Sequence, residues 1–326
     1  MHQMVLKSDH LIYHIFRAFR PRQWIKNLII FAPIIFSGEL FNAEIFWKGV
    51  SAFVFFSVIA SGVYLVNDLK DIEKDKLHPV KKNRPIASGK LPIKLATILA
   101  VCIFLVFLPL SFVNVGKYFG IVLCIYVLLQ MAYNLKLKDV IIVDALTISL
   151  GFILRAFAGA LAIPLSISSW LILAITGASL LLAFGKRRAE RTLLEAQGIS
   201  RESTRTILKH YPDNLLDSMI SMSASFSIIT YALFAFQTSP DNPFQGEFGK
   251  FLPSTLAGPK LLMLTIPIVI YGVARYLYVI YEKKEGESPE RVLLNDKPLL
   301  FSVVLMTIII VLITNILPLF AETVVI

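Results

Sequence analysis

The sequence is poor in cysteine and in charged residues, and its histidines form no cluster. Cys102 and Cys124 are the only cysteines and both lie in apolar stretches, so no disulfide framework is expected. The five histidines are scattered along the chain and give no indication of an imidazole general base. Charged residues make up only 17% of the composition and hydrophobic residues 56%, and the mean hydropathy of +0.71 is too high for a soluble domain.

The chain also shows no signal-peptide cleavage site, no low-complexity tract and no linker that would divide it. We therefore expect a single integral membrane domain over 1–326, with 1–21 lying on the membrane surface. The segment 185–213 is long enough for a cytoplasmic loop that caps the bundle. The apolar face of the surface segment consists of Leu11, Ile12, Ile15, Phe16 and Phe19.

Apolar blocks long enough to cross a bilayer recur along the chain and predict an all-α membrane protein with nine transmembrane helices. The first, fourth and sixth blocks are short. The predicted spans are Trp24–Phe36, Phe46–Val66, Leu95–Phe112, Tyr118–Ala132, Val140–Ile163, Trp170–Phe184, Leu215–Phe236, Leu261–Tyr281 and Leu299–Leu319.

Basic residues are distributed unevenly between the two sets of loops. Of the 32 Lys and Arg residues, only Lys48, Lys117, Lys250 and Lys260 fall in one set, and Arg155 falls inside a span. The others lie at the N-terminus and in the alternate loops. Basic loops stay in the cytoplasm, so we expect a multi-pass protein of the cell (inner) membrane with its N-terminus inside and its C-terminus outside. This topology accounts for the net charge of +10 without a nucleic-acid partner.

The second predicted span ends in a row of acidic residues, "NDLKDIEKD". Asp68, Asp71 and Asp75 are three and four residues apart, so on a helix they share an arc of roughly 60°. Like charges on one face repel unless a cation lies between them, and we expect these groups to face water. Mg²⁺, which takes one or two carboxylates together with substrate phosphate, fits this pattern. A solvated helix end is the simpler alternative.

A basic loop, "KLHPVKKNRPIASGKL", follows the acidic residues directly. Taken alone it is an ordinary cytoplasmic loop. Beside a metal site, however, Lys82 and Arg84 are better interpreted as a clamp for phosphate.

These two segments resemble the first aspartate-rich motif of the UbiA prenyltransferase superfamily, through Asn67, Asp68, Asp71 and Asp75 followed by "NRPI". The resemblance implies a nine-helix bundle with a cytoplasm-facing cavity, in which magnesium holds a diphosphate. "YNLKLKDVIIVD" is similar to the second motif, through Tyr133, Lys138 and Asp144. Here the chain departs from the family pattern, because Asp139 is five residues from Asp144 and does not share its face. We favour Asp144.

Further segments resemble one branch of that superfamily, the decaprenyl-phosphate phosphoribosyltransferases. They are "RPRQWIKN", the His78–Pro79 pair, "LRAFAGA", "GKRRAE" and "GESPERVLLNDKPLL". The resemblance implies a pentosyltransferase that takes phosphoribosyl pyrophosphate (PRPP) as donor, places phosphoribose on a polyprenyl phosphate and releases pyrophosphate. It also implies a role in making a cell-wall precursor.

The basic residues at predicted cytoplasmic helix ends suit this donor, which carries a 5-phosphate in addition to its pyrophosphate. These candidates are Arg22, Lys26, Arg84, Lys138, Lys186 and Arg187. Topology signalling, or an i,i+4 pair of Lys186 with Glu190, would explain the last two without a function. Arg155 lies well inside the membrane, where it either lines the cavity or holds helix carbonyls and a neighbouring span.

The implied reaction needs no general base, because a lipid phosphate oxygen is already anionic. Asp68, Asp71 and Asp75 would hold Mg²⁺, and Asp144 a second ion. Two other functions stay open: prenyl transfer from a diphosphate to an aromatic or other small acceptor, and divalent-cation transport. The transporter is disfavoured, because the acids lie at helix ends and not near the bilayer midplane. A homo-oligomer is left open.

Overall fold

A computed structural model describes residues 11–77, 81–163, 165–196, 211–239, 260–283 and 289–318, and within these ranges every regular element is helical. The α-helices are α1 (11–18), α2 (Ala32–Phe36), α3 (Ala43–Lys70), α4 (Ile72–Leu77), α5 (Ile93–Asn114), α6 (Lys117–Leu135), α7 (Val143–Ala162), α8 (Ser169–Ala196), α9 (Asp213–Thr238), α10 (Ile266–Tyr281), α11 (Pro289–Asn295) and α12 (Lys297–Val311). His78–Pro79 and part of the "GESPERV" segment lie outside the described residues.

Eight helical segments in the described part of the chain are long and apolar enough to cross a membrane, and they correspond to the second through ninth predicted spans. The all-α class and the multi-pass character are thereby confirmed. The first predicted span, Trp24–Phe36, is instead a 3₁₀ helix, Pro21–Phe31, that runs into the short helix α2. Because it falls short of a full apolar span, the ninth crossing stays a prediction.

The predicted surface helix is present over the part that the structure describes. In α1 and just after it, Leu11, Ile15 and Phe19 pack against the core of the N-terminal half. By contrast, Ile12 and Phe16 are more than half exposed. A helix at the lipid interface needs an apolar face that packs partly against the protein and is otherwise free to contact lipid.

Helix α5 contains one π-helical turn, Ile103–Phe107, which ends two residues before Pro109. Proline has no N–H, so the carbonyl one turn earlier loses its α-helical partner, and the backbone relaxes by widening one turn. Gly62 of α3 faces this turn: a Cβ there would lie 2.9 Å from Ile103. The small residue lets α5 approach α3, whose C-terminal end carries the acidic motif.

The predicted loop 185–213 begins as a helix. Helix α8 continues past Phe184 to Ala196, so Lys186 and Arg187 lie on an extension of the sixth span. Apolar residues stop at Phe184 but helix formers continue, and hydropathy therefore marks the end of the apolar layer and not the end of the helix. Residues 197–210 lie outside the described part, where the rest of the predicted cap falls.

The 3₁₀ helix Pro21–Phe31 is held against α7 by a close approach at Gly159. A methyl group added at Gly159 would overlap the backbone carbonyl of Ile30. This contact sets the position of the residues just before Ile30, including Lys26 and Asn27.

We therefore expect Gly159→Ala to lower the free energy of unfolding by about 1–3 kcal/mol, because the backbone of the 3₁₀ helix must move away. Thermal unfolding of the purified protein in detergent measures the effect. Gly272→Ala is the matched control, since its added methyl group would meet only Ser302 Oγ at 3.5 Å. Equal melting temperatures for the two variants would contradict the close packing.

Candidate active site

Acidic and basic side chains from five segments meet at one end of the bundle. Most of these groups lie where a helix begins or ends, and Arg187 lies on the part of α8 that extends past the apolar span. We call this set the charged end; it consists of Arg20, Asp68, Asp71, Asp75, Arg84, Lys138, Asp144 and Arg187.

Asp68 and Asp75 share one guanidinium group. Arg84 Nη1 lies 3.0 Å from Asp68 Oδ1 and 2.6 Å from Asp75 Oδ2. Both carboxylates are buried, with 2% and 4% of their residue surfaces exposed, so the expectation that they face water is wrong. Burial is tolerated because each charge is paired. The i,i+7 spacing does bring the two to one side, as predicted.

Arg20 is a second partner of Asp68, to which it donates a hydrogen bond. Its backbone is left-handed, with φ 55° and ψ 58°, at the junction of α1 and the 3₁₀ helix. That conformation costs a non-glycine residue about 1 kcal/mol. The backbone is therefore strained at Arg20, the residue whose guanidinium group contacts the acidic motif.

Asp71 is separated from the other two acids by a break in the helix. It lies between α3 and α4 with φ −95° and ψ 13°, although the bond from its N–H to the Asn67 carbonyl continues the helical pattern. Its carboxylate turns to Lys138, whose Nζ lies 3.0 and 3.1 Å from the two oxygens. The three acids thus do not lie on one continuous helical face as predicted. Lys138 is almost fully buried and joins the two motifs.

Asp144 and Arg187 form a fully buried ion pair, each with none of its side chain exposed. Arg187 Nε donates to Asp144 Oδ2 at 2.6 Å, and the Tyr211 hydroxyl donates to Oδ1 at 2.6 Å. Burial and the adjacent Asp144 carboxylate raise the pKa of Tyr211, so it stays a donor. Both carboxylate oxygens are therefore occupied. Holding Arg187 is the role that this geometry gives to Asp144, and the metal role stays a prediction.

Arg187 is also bound by Glu190 at 2.7 Å and by the Tyr133 hydroxyl at 3.1 Å. Tyr133, Asp144 and Arg187 are thus brought together, as the second motif implies. Lys186 lies 3.8 Å from Glu190, which is the i,i+4 pair considered from the sequence.

Lys26 meets an acid that the sequence analysis did not select. Its Nζ lies 3.4 Å from Oε2 of Glu290, which belongs to α11, and Gln23 donates to Oε1. Glu290 is 7% exposed. Burial alone would raise the pKa of this carboxyl, but Lys26 and hydrogen bonds from the backbone and Gln23 lower it below its ordinary value. The carboxylate is therefore ionised at neutral pH.

Arg155 is buried between aromatic rings and neutral hydrogen-bond acceptors. Its three nitrogens donate to Asn27 Oδ1 at 2.7 Å, to the Gly151 carbonyl at 2.6 Å and to the Tyr126 hydroxyl at 3.0 Å. The rings of Phe56, Tyr126 and Phe152 lie within 5.4 Å of the guanidinium carbon. This arrangement is the structural alternative: Arg155 ties α7 to the 3₁₀ helix beside Lys26. A cavity-lining role stays a prediction.

Two of the predicted phosphate-binding residues lie on the exposed surface. Arg22 and Lys82 are exposed, and no ion pair in the described part of the chain includes either. Asn67 is half-buried, and its amide contacts the neighbouring Asp68.

The carboxylates of the charged end are candidate ligands for a divalent cation. In the described part of the chain, no three acidic, imidazole or thiolate groups are close enough to hold a metal ion as they stand. Yet a single positive nitrogen already bridges Asp68 and Asp75. Carboxylate oxygens are the ligands that Mg²⁺ prefers, and it completes its shell with water and substrate phosphate. The acidic motif therefore fits a divalent ion that arrives with a phosphate-bearing substrate.

Sequence reasoning missed Arg20, Gln23, Tyr211 and Glu290. The first two belong to "RPRQWIKN" and Glu290 to "GESPERV", so the branch motifs had marked their segments. The residues next to Glu290 in the sequence do not distinguish it from acids at the surface. Only the fold brings α11 against the 3₁₀ helix. Tyr211 lies in a loop-like stretch without a recognisable pattern.

Known proteins similar in sequence cover most of the chain. The model of the UbiA prenyltransferase family matches residues 29–189. A decaprenyl-phosphate phosphoribosyltransferase of Corynebacterium glutamicum is 35% identical over 87% of this chain and 81% of its own length. One of Mycolicibacterium smegmatis is 33% identical over 89% of both chains. A digeranylgeranylglyceryl phosphate synthase of Sulfurisphaera tokodaii is 38% identical, but over only 42% of this chain.

Solved structures show the same fold. A UbiA homologue from Archaeoglobus fulgidus, bound to GPP and Mg²⁺, superposes with a TM-score of 0.64 at 14% identity, over 92% of this chain and 99% of its own. The same homologue has also been solved with Cd²⁺. The shared fold and the extended sequence identity show that the chain belongs to the UbiA prenyltransferase family, in the branch of the decaprenyl-phosphate phosphoribosyltransferases.

Proposed function

We propose that this enzyme transfers 5-phosphoribose from PRPP to a polyprenyl phosphate of the decaprenyl type and releases pyrophosphate. The observation that carries the proposal is the identity of 33–35% to decaprenyl-phosphate phosphoribosyltransferases over more than four fifths of this chain. Prenyl transfer from a diphosphate is disfavoured, because the digeranylgeranylglyceryl phosphate synthase matches less than half of the chain, whereas the decaprenyl-phosphate phosphoribosyltransferases match most of it.

The charge pattern of the site supports a donor with several phosphates. Arg20, Arg84, Lys138 and Arg187 converge from four different segments, and each is neutralised by a carboxylate. A phosphate competes well for guanidinium and ammonium groups, because it offers several anionic oxygens to their N–H donors. Donor binding would therefore transfer these cations from the protein's carboxylates to the phosphates of PRPP.

The carboxylates released by this exchange are our proposed magnesium ligands. Asp68, Asp71 and Asp75 would hold one ion, and Asp144 stays the proposed ligand of a second. Bound Mg²⁺ would supply Lewis-acid stabilisation of the pyrophosphate charge.

The reaction breaks the bond between ribose C1 and the pyrophosphate oxygen, and the electron pair leaves with pyrophosphate. The sugar develops oxocarbenium character, and an anionic oxygen of the lipid phosphate attacks C1 from the opposite face. Arg84, Lys138 and Arg187 would stabilise the charge that grows on the leaving group. Since the nucleophile is already ionised, no side chain has to remove a proton.

We also propose how the bundle is oriented in the membrane. The charged end would face the cytoplasm, where its basic loops belong, and open into a substrate cavity. The lipid tail would enter between spans. With Trp24–Phe36 as the ninth crossing of a single domain, the C-terminus would lie outside the inner membrane.

The stoichiometry of the reaction tests this proposal. Purified enzyme with PRPP, decaprenyl phosphate and Mg²⁺ should release one pyrophosphate for each ribose that enters the lipid phase. Pyrophosphate release without labelled lipid would show hydrolysis of the donor in place of transfer.

A further inference from the structure

Glu290, the partner of Lys26, carries a buried carboxylate that does not belong to the charged end. Glu290 is the one acid of this region that comes from α11, in the C-terminal part of the chain. The position of α11 is fixed by Asp296, which caps α12 and binds Arg275 through two contacts of 3.0 Å. The carboxylate is thus placed by the fold and not by a flexible loop.

Glu290 Oε2 and the Tyr276 hydroxyl are two buried polar atoms that lack a hydrogen-bond partner among the described residues. The Lys26 ammonium forms an ion pair with Oε2 at 3.4 Å but donates no hydrogen bond of normal geometry to it. Glu290 and Tyr276 are 7% and 5% exposed, and the Glu290 carboxylate lies close enough to act electrostatically on the Tyr276 hydroxyl. A buried polar atom that makes no hydrogen bond costs about 1–3 kcal/mol. Two such atoms near each other therefore indicate that a ligand binds there.

The chemistry of these atoms selects a hydroxyl group. A carboxylate oxygen only accepts, whereas a tyrosine hydroxyl can donate, so together they match a group that both donates and accepts. A phosphate is disfavoured because the ionised Glu290 would repel it. A metal ion is disfavoured because only one carboxylate is present and Lys26 lies next to it. Carboxylates bind the hydroxyls of ribose in the same way in dinucleotide sites.

We propose that Glu290, oriented by Gln23 and assisted by Tyr276, binds the ribose hydroxyls of the donor. This inference rests on the proposed function, because it requires a ribose at the site. It assigns donor specificity to α11: a prenyl diphosphate has no hydroxyl to offer and would leave Glu290 Oε2 without a hydrogen-bond donor. Lys26 then fixes the position of the carboxylate and of the sugar, next to the phosphate-binding cations.

The test compares PRPP with its 2-deoxy and 3-deoxy analogues in wild type and Glu290→Gln. Wild type should use at least one deoxy donor about ten- to a hundredfold less efficiently than PRPP in kcat/KM. In Glu290→Gln that preference should fall to about threefold or less, through loss of efficiency with PRPP and not with the deoxy donor. Glu282→Gln, an exposed acid at the end of α10, should keep the full preference.

A structural role alone would lower the rates of all donors equally, so an unchanged preference in Glu290→Gln overturns the inference. If Glu290→Gln does not fold, Tyr276→Phe removes one hydroxyl from the same group and should reduce the preference as well. Wild type that transfers phosphoribose equally well from PRPP and both deoxy donors also overturns it. Wild type that transfers none from PRPP refutes the proposed function itself.

Discussion

Asp71→Asn is expected to lower kcat/KM for PRPP by at least about a hundredfold and to cost about 1–3 kcal/mol of stability, because the buried Lys138 loses its charged partner. The substitution keeps the shape of the side chain but removes the charge that binds Lys138 and, by our proposal, the metal ion. Asp71 is the best choice because it is the least buried of the three acids: 15% of its side chain is exposed, against 2% for Asp68 and 6% for Asp75. Radiolabel transfer and melting temperature are measured on the same preparation.

Asp68→Asn should lose activity to the same extent and also about 1–3 kcal/mol of stability, since it leaves Arg20 and Arg84 short of a buried acceptor. The matched control is Asp139→Asn, which changes an exposed acid in the second motif. EDTA should reproduce the loss in wild type, and added Mg²⁺ should reverse it. Full activity of Asp71→Asn, or of wild type in EDTA, would contradict the proposed metal site.

Asp144→Ala is expected to cost about 3–5 kcal/mol of stability, the largest effect on folding that we predict. The substitution leaves the fully buried Arg187 with only Glu190 and Tyr133, and it removes the acceptor of the Tyr211 hydroxyl. Thermal unfolding in detergent provides the measurement.

The double variant Asp144→Ala/Arg187→Met should recover part of this loss, because no unpaired charge then remains in the interior. Recovery would show that the pair acts as a unit in stability. An unchanged melting temperature of Asp144→Ala together with lost activity would contradict the structural role and favour the predicted metal role of Asp144.

The sequence predicted the helices of this protein well because hydropathy and length decide membrane spans. It failed where other forces act. Trp24–Phe36 is polar at its start, since that part contributes Lys26 and Asn27 to buried contacts. Hydropathy predicts the end of the sixth span at Phe184, because it does not detect a helix that continues beyond the apolar layer.

At the site, sequence spacing predicted proximity but not pairing. It indicated that Asp68 and Asp75 share a side, yet the break at Asp71 could not be derived from "NDLKDIEKD". The partners of these acids come from residues up to 67 positions away, as for Lys138 and Asp71, so only tertiary structure supplies them. The acids can be buried because these partners neutralise them. A prediction that does not include the partners therefore does not include the burial either.

The identity of the donor tests the central claim most directly. Wild-type enzyme, decaprenyl phosphate and Mg²⁺ are incubated in parallel with PRPP labelled in the ribose and with labelled farnesyl diphosphate, the latter also with an aromatic acid as acceptor. Lipid products are separated by chromatography. The account predicts label in the lipid product from PRPP and none transferred from farnesyl diphosphate; prenylation of the aromatic acid without phosphoribosyl transfer would contradict it.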